Sequence, residues 1–290
     1  MTPTDYDFLR KLLRDRSGLV LSAEKQYLVE SRLLPLARKN GAATLSELVR
    51  QLRGTKAEPL IADVVDAMTT NETFFFRDKI PFDHFRDTII PSLAEARAKQ
   101  RHIRIWCAAC STGQEPYSLA IGLREMAKLM DWRIDIVATD IARNVIERAR
   151  AGIYSHFEIQ RGLPITLLVK YFTQVGESWQ IDRSIRDMVK FRELNLLRNF
   201  SSLGTFDVVF CRNVLIYFDH ETKVDVLERI ARSTVADGFL LLGAAETVIG
   251  LSDRFRPVPD RRGLYALNPA ATNHGNNIIP LAPRVSAATA

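Results

Sequence analysis

An all-helical N-terminal domain, followed by a doubly wound, mostly parallel α/β domain that carries a small inserted β lobe, is the fold class this 290-residue sequence predicts. Three observations predict it. Roughly the first eighty residues place apolar side chains at helical spacing only. From residue 102 onward, short β-branched runs alternate with helical patterns, the mark of βαβ units. Between about 153 and 190 that alternation breaks.

Taken in order, helices are expected over roughly 4–16, 22–40, 44–53 and 57–70. Ser22 stands at the start of the second, Thr44 with Glu47 forms a capping-box pattern, and Gly41 and Gly54 stop their helices. A further helix is expected over about 79–100. Then come the strand IRIWC, a helix over 115–130, the strand IDIVATD, a helix over 142–151, the strands VKFREL and FDVVFC, a helix over 220–236 and the strand FLLLGAA. Runs such as VVFC and FLLLG show no polar alternation, as strands covered on both faces should not. The inserted lobe contains Gly162, Pro164 and Gly176 and the extended pieces ESWQIDR and RDMVKF, which suggest antiparallel pairing. From Asn268 to Ala290 the chain is rich in Ala, Pro and Asn with almost no charge, and a disordered tail is expected.

Composition bounds the function. With 47% hydrophobic and 26% charged residues the chain is of ordinary globular type. No run approaches the ~18 to 20 uncharged apolar residues of a membrane span, and MTPTDYDFLRK lacks an apolar leader, so a cytoplasmic protein is expected. Cys107, Cys110 and Cys211 are too few and too uneven for a disulfide framework. Cys107 and Cys110 form a CxxC without a second ligand pair, so a metal is not expected. The net charge of +6 favours an acidic partner, yet the basic residues are spread along the whole chain without a nucleic-acid-binding signature.

In an open α/β sheet, ligands bind beyond the carboxyl ends of the strands. After the first strand comes CAACSTGQEPYS, where small residues let a ligand approach the backbone and Glu115 opens a helix. After the second comes Asp140, about 27 residues beyond Gly113, suited to accept hydrogen bonds from a ribose diol. A dinucleotide site would need GxGxxG, which is missing, and Glu115 would repel a pyrophosphate. A cationic ligand with a ribose and no phosphate, S-adenosylmethionine, fits two acids at consecutive strand ends. Taken singly, Glu115 could complement a helix dipole and Asp140 could cap the helix that follows. His102, His156 and His220 are scattered, and no catalytic triad is visible.

TTNETFFFRD at 69–78, IWCAACSTGQEPYSLA at 105–120, ATDI at 138–141 and FDVVFCRNVLIYFD at 206–219 together resemble the chemotaxis protein glutamate O-methyltransferase family over about residues 5 to 268. The resemblance implies an N-terminal helical domain at 1–78, a Rossmann-like methyltransferase domain at 79–268 with the lobe at about 153–190, and a tail at 269–290. It implies S-adenosylmethionine between the two domains, contacted by Asn71, Thr73, Arg77, Glu115, Asp140, Asn195, Leu196, Arg212 and Asn213, with Arg77 and Tyr217 holding the incoming carboxylate. Phe74, Phe75 and Phe76 are expected in the domain interface and not around the adenine, and Asn195 could instead close a turn. The implied partner is the cytoplasmic helical region of a transmembrane chemoreceptor, acted on by a monomer without nucleic acid or membrane insertion. In this family the lobe can dock a receptor's C-terminal peptide through a longer glycine-bearing loop, but TQVGESWQ is short, so that tether is not expected.

Two rivals are a nucleic-acid methyltransferase and a non-catalytic adaptor. Enzymes that methylate base amino groups carry a Pro-Pro-aromatic motif where this chain has Arg212, Asn213 and Val214, and an adaptor would not need a full set of cofactor residues. On the second helix Lys25, Arg32 and Lys39 recur every seven residues, within ~40° of arc, which would make one basic stripe for an acidic receptor helix or a solvated face.

Overall fold

The computed structural model describes residues 1–268 and 271, so the expected tail at 269–290 lies outside the described residues apart from Ala271. Four helices come first: α1 Pro3–Ser17, α2 Gln26–Lys39, α3 Leu45–Leu52 and α4 Glu58–Met68. Thr2 and Asp5 close a reciprocal capping box on α1, with Pro3 in its first turn. Thr44 caps α3 by accepting the Glu47 N–H at 3.2 Å. Glu47 reaches back to the Ala43 N–H, one residue short of a full box. Ser22 makes no side-chain cap; a 3-10 turn over Ala23–Lys25 leads into α2 instead. Leu9, Leu13, Val29, Leu33, Leu48 and Val64 meet as the fully buried centre of this unit.

An extended stretch over 69–78 leads to α5 Ile80–His84, a π turn at Phe85–Ile89 and α6 Ile90–Ala96. The single helix expected over 79–100 is therefore interrupted. Pro91 has no N–H to offer the Asp87 carbonyl, and the chain widens into the π turn just before it.

The main sheet has the order β6-β2-β1-β7-β8-β10-β9. Its parallel part comprises β1 His102–Ala108, β2 Arg133–Asp140, β6 Val189–Glu193, β7 Phe206–Cys211 and β8 Thr234–Leu242. Two antiparallel strands, β9 Phe255–Pro257 and β10 Leu264–Leu267, extend one edge. Period-two alternation divides the strand residues between two cores. Ile105, Cys107, Phe210 and Leu241 face one side. Trp106, Val209, Leu240 and Leu242 face the other, against Val226, Leu227 and Ile230. Those three residues belong to α12 His220–Arg232. Trp106 keeps its indole N–H satisfied by the Thr139 hydroxyl at 2.9 Å.

Between strands run α7 Gln114–Arg124 and α8 Arg143–Ala151. The helix expected to reach 130 stops at Arg124, and a 3-10 turn at Ala127–Leu129 follows. The helix expected to reach 236 stops at Arg232, because β8 already begins at Thr234. The register jumps from Phe206↔Thr234 to Val208↔Phe239, so residues 235–238 bulge out, and the ADG of their VADG sequence gives no strand signal.

The lobe is a three-stranded antiparallel sheet in the order β3-β5-β4, with β3 Ile153–Ser155, β4 Phe172–Val175 and β5 Ser178–Ile181. Three short helices accompany it: α9 His156–Gln160, α10 Ile165–Tyr171 and α11 Arg183–Arg186. From ESWQIDR, the piece SWQI forms β5. RDMVKF instead leaves α11 and enters β6 of the main sheet, and the remaining lobe strand is FTQV.

Candidate functional site

The loop after β1 turns through three left-handed residues, Ala109 at φ 59°, Ser111 at 50° and Gly113 at 93°. Such backbone strain collects at functional sites. The loop is fixed on two sides. Cys110 N–H donates to the Thr139 carbonyl at 2.9 Å, and Ser111 N–H donates to Asp140 Oδ2 at 2.8 Å. The Ser111 hydroxyl donates to the Asn71 carbonyl at 2.9 Å, tying loop to linker.

Asp140 is buried at the end of β2, and its second oxygen accepts the Ala142 N–H at 3.0 Å. Burial pushes its pKa up, against the pull of the Ala142, Ser111 and Ile141 N–H groups. It is thus a loop staple as well as a wall of the cleft, and each oxygen keeps a lone pair for a further donor.

Glu115 stands in the first turn of α7, where burial also raises its pKa while Arg212 pulls it down. Arg212, whose side chain is 1% exposed, donates from Nη1 to Glu115 Oε2 at 2.7 Å. From Nη2 it donates to Asp78 Oδ2 at 2.7 Å and to the Arg77 carbonyl at 3.0 Å. One guanidinium therefore joins the end of β7, the start of α7 and the linker. Its Nε is buried with no acceptor among the described residues.

The linker presents Arg77 half-buried, donating to the Glu72 carbonyl at 2.6 Å and lying 5.7 Å from the Phe74 ring. Arg161 covers the same ring at 4.4 Å and pairs with Glu72 at 2.6 Å. At Gly162, φ +90°, a Cβ would stand 2.1 Å from the Phe75 carbonyl, so the linker passes there only over glycine. Phe75 is fully buried, edge-on to Tyr154 and Phe172, and Phe76 packs on Phe82. Phe75 belongs to the core of the α/β domain and its lobe, with Phe76 packed on that core, so neither sits between that domain and the N-terminal helices as expected; Phe74 is a cation-covered ring at the surface of the linker.

The N-terminal helices close the opposite side. Asn195 donates to the Arg16 carbonyl at 2.6 Å while its Oδ1 accepts the Leu197 N–H at 2.9 Å. It does close a turn, and its amide is occupied at both ends. Val20 N–H donates to the Tyr217 carbonyl at 3.0 Å, and Arg14 pairs with Asp219 at 2.8 Å. The Tyr217 hydroxyl and the Thr73 hydroxyl have no protein partner among the described residues.

Asn71, Thr73, Arg77, Glu115, Asp140, Asn195, Leu196, Arg212, Asn213 and Tyr217 all line one cleft. Sequence reading missed other parts of it. Ser17, Leu19 and Leu194 also line it, and Glu246, just outside, accepts the Asn213 N–H. None carries a local signal. Their roles arise only when distant segments meet.

Two family profiles match the chain: "CheR methyltransferase, all-alpha domain" over residues 4–69 and "CheR methyltransferase, SAM binding domain" over 71–264. The chain is 43% identical over 265 residues to chemotaxis protein methyltransferase 1 of Pseudomonas aeruginosa, covering 90% of this chain and 96% of that protein. It is 41% identical over 262 residues to chemotaxis protein methyltransferase 1 of Vibrio cholerae, covering 89% and 94%.

Proposed function

The chain belongs to the CheR methyltransferase family and is an S-adenosylmethionine-dependent methyltransferase of the chemotaxis type, and we propose that it esterifies glutamate side chains on the cytoplasmic helical region of a chemoreceptor. The observation that carries this reading is one cleft, between the helical unit and the sheet, lined by two buried carboxylates, one at the end of β2 and one in the first turn of α7, together with Arg77 and Tyr217.

That cleft suits the cofactor. Glu115 and Asp140 offer acceptors to a ribose and a cation, and the buried Arg212 Nε is a donor that an α-carboxylate would satisfy. Asn71, Thr73, Leu196 and Asn213 would complete the contacts. Asn195, with its amide engaged, would act by fixing Leu196 at the cleft. When bound, S-adenosylmethionine supplies an electrophilic methyl group. The substrate glutamate, with an unperturbed pKa of ~4.3, is already the nucleophile at neutral pH, so the chain needs no general base. Its task is in-line positioning in a site poor in water, since two opposite charges vanish during transfer. Arg77 and the free Tyr217 hydroxyl hold the incoming carboxylate, Arg77 loosely enough that the ground state is not over-stabilised. The helical domain spans 1–78 and the methyltransferase domain 79–268, with the lobe at about 153–190, as part of the same proposal. No helix among the described residues is long and apolar enough to cross a membrane. Action in the cytoplasm as a monomer belongs to the same proposal.

The basic stripe on α2 needs revision. Arg32 donates to the Met68 carbonyl at 2.7 Å and to the Thr70 hydroxyl at 3.1 Å, holding the end of α4 and the start of the linker. Lys25 and Lys39 remain exposed. Reversing these two to Glu is expected to slow methylation of receptor membranes while leaving cofactor affinity intact, and the wild-type rate should fall with salt, because charges are screened beyond ~8 Å at physiological ionic strength. An unchanged rate for the doubly reversed variant would place receptor recognition elsewhere.

Cofactor binding should also depend on pH. Burial raises the pKa of both Glu115 and Asp140, so they take up protons at a higher pH than ordinary carboxylates. The protonated forms lose their attraction for a cation, and affinity should weaken as pH falls from neutrality into the ordinary carboxylate range. These two groups do not make the fold weaker over that range, because an acid whose pKa is raised by folding favours the folded state on protonation. Calorimetry with parallel circular dichroism checks both halves; affinity constant over that range would mean that neither charge serves the cofactor.

The substrate assignment is tested by incubating the enzyme with a purified receptor cytoplasmic fragment and mapping the modified peptides by mass spectrometry. Methyl groups are expected on glutamate carboxyls, and methylation only on lysine, arginine or nucleic acid would refute the reading.

A further inference from the structure

We propose that Glu246, in the turn after β8, is a positioning residue for methyl transfer, whose carboxylate holds the segment from Asn213 to Tyr217 in the shape that brings both to the cleft. The inference rests on the reading that Asn213 serves the cofactor and Tyr217 the substrate.

Four backbone donors converge on this one side chain. Oε2 accepts the N–H of Asn213 at 2.8 Å and of Gly243 at 2.7 Å. Oε1 accepts the N–H of Val214 at 2.9 Å and of Ile216 at 3.3 Å. Hydrogen bonds to a charged acceptor are about twice as strong as neutral ones, and these four clasp the chain leaving β7 to the chain leaving β8. The clasp has something to restrain: Asn213 is held at φ 59°, in the left-handed region that a non-glycine residue seldom adopts. Immediately before it stands the buried Arg212; immediately after, Leu215–Tyr217 form a 3-10 turn. The fit is tight at Gly243, where a Cβ would lie 2.8 Å from both Asn213 Nδ2 and Glu246 Oε2. Glu246 lines the neighbouring groove with Ile80 and Arg262 and not the cleft itself, so its influence passes through Asn213 and Tyr217.

The test compares Glu246→Gln, Glu246→Asp, Gly243→Ala and Asn213→Ala in three measurements: S-adenosylhomocysteine affinity by calorimetry, the single-turnover rate of methyl transfer to receptor membranes at saturating cofactor, and KM for those membranes. Glutamine turns an NH₂ group towards two of the four N–H donors. Gly243→Ala disturbs the same clasp by crowding while leaving the carboxylate in place. Both are expected to weaken cofactor affinity about tenfold and to slow single turnover up to ~100-fold, as misplacement of reacting groups by ~1 Å does. KM for the receptor should stay within about twofold. Aspartate, charged but one methylene shorter, should recover part of the rate, a rescue that loss of general stability would not produce. Wild-type affinity and rate in both Glu246→Gln and Gly243→Ala, alongside weakened binding in Asn213→Ala, would overturn the inference and leave the reading of the cleft standing. Wild-type affinity in Asn213→Ala would overturn that reading, and this inference with it.

Discussion

Replacing Arg212 with methionine is expected to cost about 3–5 kcal/mol of stability and to abolish cofactor binding. Removing one partner of a buried ion pair leaves the other charge without compensation, and that residual charge causes most of the loss. Here the partner left behind is Glu115, whose side chain is only 11% exposed. The same substitution frees Asp78 and the Arg77 carbonyl, so the linker loses its hold on the sheet. Pairing Arg212→Met with Glu115→Gln should restore much of the stability, since the orphaned charge is gone, but not the affinity, since the cleft then lacks both groups. Urea unfolding and calorimetry on the single and double variants decide it. A single variant of wild-type stability would mean that the guanidinium is not the joint between linker and sheet.

Asp140→Asn should weaken S-adenosylmethionine binding by about 1.5–3 kcal/mol, roughly 10- to 100-fold, because a charge-assisted acceptor is removed. Asparagine keeps the size but turns an NH₂ group towards either the Ser111 or the Ala142 N–H, so some loosening of the loop accompanies the loss. The two effects separate experimentally. Lowered stability with unchanged affinity would show that Asp140 serves the loop alone.

The parallel centre of the sheet was legible because strands covered on both faces read as unbroken apolar runs, as in VVFC and FLLLG. β9 and β10 were not. β9 holds Pro257, which strand patterns exclude except at an edge, and an edge is where β9 lies. The rule that ligands gather at strand ends pointed to Glu115 and Asp140, and both line the cleft. The remaining site residues came from resemblance, since Arg77 and Tyr217 have no pattern of their own. What neither route could supply was the pairing of atoms. The Asn195 amide is taken by a carbonyl 179 residues away, Arg32 leaves its helix face to hold the α4 terminus, and Glu246 acts on backbone N–H groups that any sequence would provide. Such contacts depend on where two turns meet in space, a matter of tertiary packing and not of local propensity.

Transfer of a methyl group from S-adenosylmethionine to receptor glutamates is tested by incubating the enzyme with methyl-labelled cofactor and receptor-rich membranes and following the label into protein. Label is expected on the receptor band, released by mild base as a carboxyl ester must be, and absent with Asp140→Asn at limiting cofactor. Base-stable label, or label appearing in nucleic acid while the receptor band stays blank, would contradict it.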